Sequence, residues 1–332
     1  MKKIILTLTV AIPLMLLGIA GYFYHIITSP NSTEHYEVSI RINPGQSFKK
    51  TSSQLYSKNL IKNQDIFYTL GRITGQAREV KAGQFKVNSS WNMIQMLEHL
   101  TLGREALYRL QIPEGLTWWQ IGRILEEEGL ADFEEFKQLV HDEDFLSRHS
   151  VYASSAEGFL FPETYYLSPT RDIGAQRILS IMINQFWQST MELRKDMEFE
   201  ELYQVVNLAS LIEKETGISA ERKIISGVFH NRIRKNMLLQ CDPTIIYGIG
   251  EEFDGIIRRS HLDDRDNLYN TYVHRGFPPT PICSPGLASL EAAVFPDEHN
   301  YLYFVSRNDG SHHFSKTLQE HNRAVRKYQR RR

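Results

Sequence analysis

Residues 112–137, IPEGLTWWQIGRILEEEGLADFEEFK, decide how the chain is organised, because they occur twice. Residues 42–67, INPGQSFKKTSSQLYSKNLIKNQDIF, align with them without a gap at an offset of 70. Ile42 matches Ile112, Gly45 matches Gly115, Ser47 matches Thr117, Phe48 matches Trp118, Leu55 matches Leu125 and Leu60 matches Leu130. Each copy reads as a strand, a glycine turn, a hydroxyl helix cap, a helix and a second short helix. The hydroxyl belongs at the cap because it can accept from helix N–H groups that have no partner of their own. Helical spacing of Phe48, Ser52 and Leu55, and of Trp118, Ile121 and Leu125, turns one face toward a core. Later echoes, AGQFKV at 82–87 and AEGFLFPETYYL at 156–167, extend the pattern, and SWNMIQMLEHLTLG closes the first copy. Two related αβ modules are expected, over 37–104 and 105–170.

Upstream lies a different texture. Lys2 and Lys3 precede IILTLTVAIPLMLLGIAGYFYHIIT, residues 4–28, which has no acid, lysine or arginine. That length suffices to cross a hydrocarbon core at about 1.5 Å per residue. Tyr22, Phe23 and Tyr24 sit where an interfacial aromatic belt is expected, and the lysines predict residues 1–3 on the cytoplasmic side. The rival reading is a signal peptide cut after the small-x-small Gly18-Ile19-Ala20, but the apolar run continues beyond it. Residues 29–36 read as a polar linker.

From 171 to 332 helices dominate. The segments at 173–193, 199–217 and 219–237 carry helical apolar spacing, 238–286 is rich in loops, and SPGLASLEAAVF reads as a helix with Pro285 in its first turn. Tyr301–Lys316 reads as a β-hairpin around Asn308, Asp309 and Gly310, before a final helix. The fold class is therefore α+β: an N-terminal membrane helix, two small αβ modules and a mainly helical third domain with a hairpin.

A net charge of −1 gives no field suited to nucleic acid. Cys241 and Cys283 read as two buried thiols, although an exported location permits a disulfide. The sequence contains no G-x-S-x-G, Walker or dinucleotide motif, so no cofactor is expected. His299, His312, His313 and His321 crowd the C-terminal region, but none forms a helical H-x-x-x-H pair with an acid, and His312 and His313 on a strand point to opposite faces. No metal site is expected.

In NLASLIEKETG, residues 207–217, an apolar run ends in two glutamates. On a helical wheel with Leu202 at 0°, the apolar face centres near about 320° and Glu213 falls at about 20°, inside it. Glu215 falls at about 220°, at its edge, and Lys214 at about 120° on the polar side. Glu213 is thus the charge that breaks the amphipathic rule. Either desolvation raises its pKa, as a general acid requires, or it pairs with a buried arginine such as Arg232.

The segments LIEKETG, VFHNRIRKNMLLQCDPTIIYGIG, NLYNTYVHRGFPPTPICSPGLASLEAA, YLYFVSRNDGSHHFS and AEGFLFPETYYL together resemble the YceG-like endolytic murein transglycosylases, in order and over nearly the whole chain. The resemblance implies a LysM-like module within 37–104. It implies a membrane-anchored, single-pass enzyme whose catalytic domain faces the extracytoplasmic side of the plasma (inner) membrane. Its implied activity is that of a lyase acting on peptidoglycan. It would cleave the β-1,4 bond between N-acetylmuramic acid and N-acetylglucosamine without water, leaving a 1,6-anhydro end. Such activity would terminate or release nascent strands beside a peptidoglycan synthase.

The first glutamate of EKET, Glu213, corresponds to the family's catalytic residue. It would protonate the leaving oxygen and then take the proton of the attacking C6 hydroxyl. Gln240, Asp242, Thr244, Tyr247, Asn270 and Tyr272 resemble positions lining the cleft, where amides and phenols suit N-acetyl sugars. Asp242 before a proline equally suits a turn. Glu163 either reaches the cleft or caps a local turn. The rival functions are a wall-binding scaffold without activity and a glycan hydrolase.

Overall fold

The computed structural model describes residues 2–102, 107–168 and 173–329, with side chains from residue 15 onward. Its elements run α1 (Lys2–Thr28), β1 (Glu37–Ile42), α2 (Phe48–Ser57), α3 (Gln64–Ile73), β2 (Gly83–Asn88), α4 (Met93–Leu102) and β3 (Tyr108–Gln111). There follow α5 (Trp118–Glu127), α6 (Phe133–Val140), α7 (Glu143–Arg148), β4 (Thr164–Leu167), α8 (Ala175–Ser189), α9 (Phe199–Glu215) and α10 (Arg222–Arg234). The chain finishes with α11 (Asp242–Ile249), α12 (Arg259–Asp263), α13 (Leu287–Val294), β5 (Tyr303–Ser306), β6 (His312–Ser315) and α14 (Leu318–Tyr328). This is a mixed α+β chain whose strands form two-stranded sheets.

One compact unit comprises residues 1–110 and 166–172, the other 111–165 and 173–332. In the first, β1 and β2 pair antiparallel with Ile40 opposite Phe85 and Val38 opposite Val87. Alternation sends Ile40, Ile42, Phe85 and Val87 inward to meet Leu55, Phe67, Met96 and Leu100 of the helices. Ile26 and Ile27 at the end of α1 pack on this core. Residues 29–36 are tied to the same unit: Asn31 donates to the Asn59 carbonyl, and the Ser89 hydroxyl donates to the Glu34 carbonyl and accepts from the Tyr36 N–H. Among the described residues no helix is long and apolar enough to cross a membrane. The side chains of residues 4–14, on which much of the anchor expectation rests, lie outside the described set.

The duplication is visible in local geometry. Gly45 and Gly115 both take left-handed backbone, with φ of 74° and 78°. Ser47 accepts from the Lys50 N–H, and Thr117 from the Gln120 N–H in a full capping box. Residues 111–165, however, pack in one unit with 173–332. Within it the Gly115 N–H donates to the Ser284 carbonyl and the Ser284 N–H to Leu116, so the repeat's glycine turn is stitched to the loop before α13.

Two element expectations change. The stretch 238–286 contains α11, an eight-residue helix with Pro243 in its first turn. The helix after Pro285 begins at Leu287, with Gly286 as its N-cap, so Pro285 lies before it. The hairpin forms as expected, with Val305 opposite His313 and Ser306 opposite His312. Both cysteines are free and buried.

Candidate active site

Everything in the site belongs to the larger unit and is organised by α9. This helix is buried continuously from Val206 to Ile212, including Asn207 and Ser210. Both side chains bond the loop before α13: Asn207 donates to the Pro278 carbonyl at 2.8 Å, and Ser210 accepts from the Ile282 N–H at 3.0 Å, while Asn207 Oδ1 has no partner among the described residues. α9 therefore enters the site as a core helix packed on several sides, against α10, α11 and α13. Its last three residues leave in three directions.

Glu213 goes to a salt bridge. Its Oε1 lies 3.6 Å from Arg222 and its Oε2 accepts the Gly286 N–H at 3.0 Å, with 7% of the side chain exposed. Arg222 also reaches Glu114, at 3.9 Å. Burial, and then the Glu213 charge, push the Glu114 carboxyl up, while Arg222 pulls it down. The Glu114 carboxylate packs closely over Gly286, where a Cβ would displace it. The partner of Glu213 is Arg222 and not Arg232. Arg232 instead spans the Leu302 and Leu239 carbonyls at 2.6 and 2.7 Å.

Glu215 goes to a cavity of about 510 Å³, whose wall it shares with Arg232, Gln240, Asp242, Tyr272 and His312. Desolvation pushes its carboxyl above the usual range, and Asp242 adds to this. A bond from the Cys241 thiol opposes it, as do His312 when it carries a proton and the Arg232 charge. Tyr272 donates to Asp242 Oδ1, joining two lining residues across the mouth of α11. Gln240 sits at φ 51° with its N–H on the Thr271 carbonyl, a left-handed backbone held by neighbours.

Lys214 points elsewhere. Its ammonium donates to the Gly115 carbonyl at 3.1 Å and lines a second cavity, of about 700 Å³. Trp119, Tyr247, Ile246, Pro243 and Phe253 give that cavity an apolar, aromatic wall. Trp119 and Tyr247 lie 4.9 Å apart, and Tyr247 and Tyr269 4.8 Å. Beneath them Glu157 is fully buried. Its Oε2 accepts from Tyr247 at 3.0 Å and from the Trp118 N–H at 3.1 Å, while Oε1 has no hydrogen-bond partner. Burial outweighs those two bonds and pushes its pKa up to about 8, so it is mostly protonated at neutral pH. The two cavities flank the same pair of helices. Consecutive residues Lys214 and Glu215 of α9, and Pro243 and Asp242 of α11, line one and the other.

The positions singled out from sequence thus divide. Gln240, Asp242 and Tyr272 share the cavity of Glu215, and Tyr247 belongs to the second. Four do not line either cavity: Glu213, in its salt bridge with Arg222, and three more. Thr244 is buried, bonding the Cys241 carbonyl and Thr271. Asn270 is also buried and donates to the carbonyls of His261, Leu262 and Asp264, organising its loop. Glu163 is exposed and caps its own turn through the Thr164 N–H at 2.8 Å. Among the described residues no group of three or more His, Cys, Asp or Glu could hold a metal ion. Sequence reasoning weighed Glu215 and His312 without choosing them as site residues, and passed over Glu157 and Trp119. Glu157 had a usable signal, a lone acid within SSAEGFLF.

Comparison with known proteins adds the following. A sequence profile described as the YceG-like family matches residues 40–327. The endolytic murein transglycosylase of Bacillus subtilis strain 168 is 30% identical over 308 residues, which are 88% of this chain and 84% of that protein. The endolytic murein transglycosylase of Streptococcus pneumoniae D39 is 28% identical, covering 94% of this chain but 63% of its own length. A crystal structure of a yceG-like protein of Listeria monocytogenes superposes with a TM-score of 0.59 at 30% identity, over 88% of this chain and all of that one.

Proposed function

Because this chain belongs to the YceG-like family, we propose that it is an endolytic murein transglycosylase whose acid is Glu215. The bond cut is the β-1,4 link between N-acetylmuramic acid and N-acetylglucosamine inside a glycan strand. Protonated Glu215 gives its proton to the leaving oxygen. The muramic C6 hydroxyl gives up its proton to a base in the site as its oxygen closes on the anomeric carbon, leaving a 1,6-anhydro end and consuming no water. An acid for this step must start neutral, and desolvation favours that form of Glu215. The observation that carries the reading is the shared cavity wall of Glu215, Gln240, Asp242 and Tyr272. Glu213, held by Arg222 and the Gly286 N–H, reads instead as a structural carboxylate.

The assignment of Glu213 as the acid, implied by motif position, is the second reading, and its near-complete burial favours it. The two are separated by Glu215→Gln and Glu213→Gln, each digested against purified peptidoglycan with anhydro ends counted by mass spectrometry. Glu215→Gln is expected to abolish anhydro ends with the fold intact, and Glu213→Gln to retain them in whatever fraction folds. The reverse result returns the role to Glu213. Reducing muramic ends would make the protein a hydrolase, and no cleavage at all would make it a scaffold.

The reading extends to a single-pass anchor over 4–28 in the plasma (inner) membrane, with the catalytic domain outside. It includes a LysM-like, glycan-binding role for the module over 37–104, and release of nascent strands beside a synthase. Resistance of the full chain to alkaline carbonate extraction from membranes tests the anchor.

A further inference from the structure

His312 stands on β6 opposite Ser306, and a single carboxylate holds it twice. Its backbone N–H donates to Glu221 Oε1 at 2.9 Å, and its Nδ1 lies 2.7 Å from Glu221 Oε2. Glu221 and His312 are each about one-eighth exposed, so the pair is largely withdrawn from water. Phe304 packs edge-on at 5.5 Å and fixes the plane of the ring. An acceptor at Nδ1 puts the ring proton there and leaves the lone pair of a neutral imidazole on Nε2. That nitrogen has no hydrogen-bond partner among the described residues, and the ring lines the cavity of Glu215. Strand alternation separates it from His313, whose ring lies 5.7 Å from Tyr328. The other titratable or charged groups around this cavity are Glu215 of α9, Arg232 of α10, Asp242 of α11, His321 of α14, Tyr272 and Tyr303.

We propose that the reaction divides its two proton transfers between two residues, with His312 as the base, oriented by Glu221, and Glu215 as the acid. The inference rests on the transglycosylase reading above. The O–H bond of the muramic C6 hydroxyl breaks and its proton goes to His312 Nε2. The C6 oxygen forms a bond to the anomeric carbon as the glycosidic C–O bond breaks. The departing oxygen takes the proton of Glu215. The enzyme is left with an imidazolium and a carboxylate, and transfer of one proton from the first to the second through solvent in the cavity resets both. No co-reactant is needed. A carboxylate acting alone would instead have to perform both transfers.

The decisive variant is His312→Asn, whose amide can still donate to Glu221 while Nε2 is deleted. Anhydro-end formation is followed as a function of pH for the full-length wild type, His312→Asn and Glu221→Gln, with folding checked by thermal melts. For His312→Asn we expect kcat to fall by about 10²- to 10³-fold, KM to stay within a few-fold, and the acidic limb of the pH profile to disappear. Glu221→Gln, which keeps the shape of the side chain, is expected to lower kcat less and spare KM. His312→Ala should regain rate on addition of free imidazole, which a purely structural histidine would not allow. A folded His312→Asn with wild-type kcat and an unchanged pH profile overturns the proposal while leaving the function standing. If His312→Asn does not fold, an unaltered kcat in Glu221→Gln overturns it. A wild type that makes no anhydro ends removes the transglycosylase reading and this inference with it.

Discussion

At the scale of the residue, three carboxylates in one unit differ through their surroundings. Glu213 has a guanidinium and an N–H, Glu215 a cavity wall, and Glu157 a closed interior with one oxygen left over. Removing the Glu213 carboxylate leaves a largely buried Arg222 with only the half-exposed Glu114, 3.9 Å away, so Glu213→Ala is expected to cost about 2 kcal/mol, read as a lowered urea midpoint at constant m-value. Glu157 makes stability depend on pH. Its folded pKa of about 8 lies above its ordinary value of 4.5, so the folded state binds the proton more tightly than the unfolded one. Its contribution is most favourable below about pH 4.5 and is lost as pH rises through 8. Wild-type stability should therefore carry a declining component across that window that is absent from Glu157→Gln. Parallel curves for the two proteins would refute it.

At the scale of the element, α9 shows what a helical wheel leaves out. The wheel assumes one buried face and one wet face, and on that assumption Glu213 is the anomaly. In the structure α9 is buried all round from Val206 to Ile212, so both of its terminal glutamates leave a packed helix and neither faces bulk water by default. What separates them is the neighbour each meets: Arg222 from the start of α10, or the cavity beside α11 and β6. Those neighbours are 9 to about 100 residues away in the chain, and helical periodicity carries no record of them. The loops packed on α9 are equally specific. Gly158 takes φ 86°, and a Cβ there would meet Val206 at 2.6 Å and Pro281 at 2.8 Å. Gly158→Ala should destabilise by roughly 3 kcal/mol through backbone strain and overpacking together. A thermal midpoint within a degree of wild type would contradict that.

At the scale of the whole molecule, the repeat and the compact units follow different boundaries. The two copies share a strand, glycine turn, hydroxyl cap and helix pair, yet residues 111–165 pack with the helical remainder. The second copy contributes Trp119 to the aromatic cavity and Glu114 to the Arg222 cluster, and so has become part of the candidate site. A glycan strand lying along α9 and α11 would use both cavities at once. On that basis Trp119→Ala is expected to raise KM several-fold for long strands and to change kcat little, measured with strands of graded length. An equal effect on short and long strands would place the aromatic cavity outside the binding path.

The sequence by itself determined the duplication, the α+β class, the terminal hairpin and the family, because these reside in local periodicity, turn chemistry and ordered motifs. It also brought Gln240, Asp242, Tyr247 and Tyr272 forward as site residues. It singled out Glu213 over Glu215 by helical spacing and motif position, and it neither found Glu157 nor saw Glu221 beneath His312. Tertiary structure alone separated the surroundings of Glu213, Glu215 and Glu157, because a carboxyl group's environment is its desolvation and its partners. Both are set by residues that only folding brings within a few ångströms.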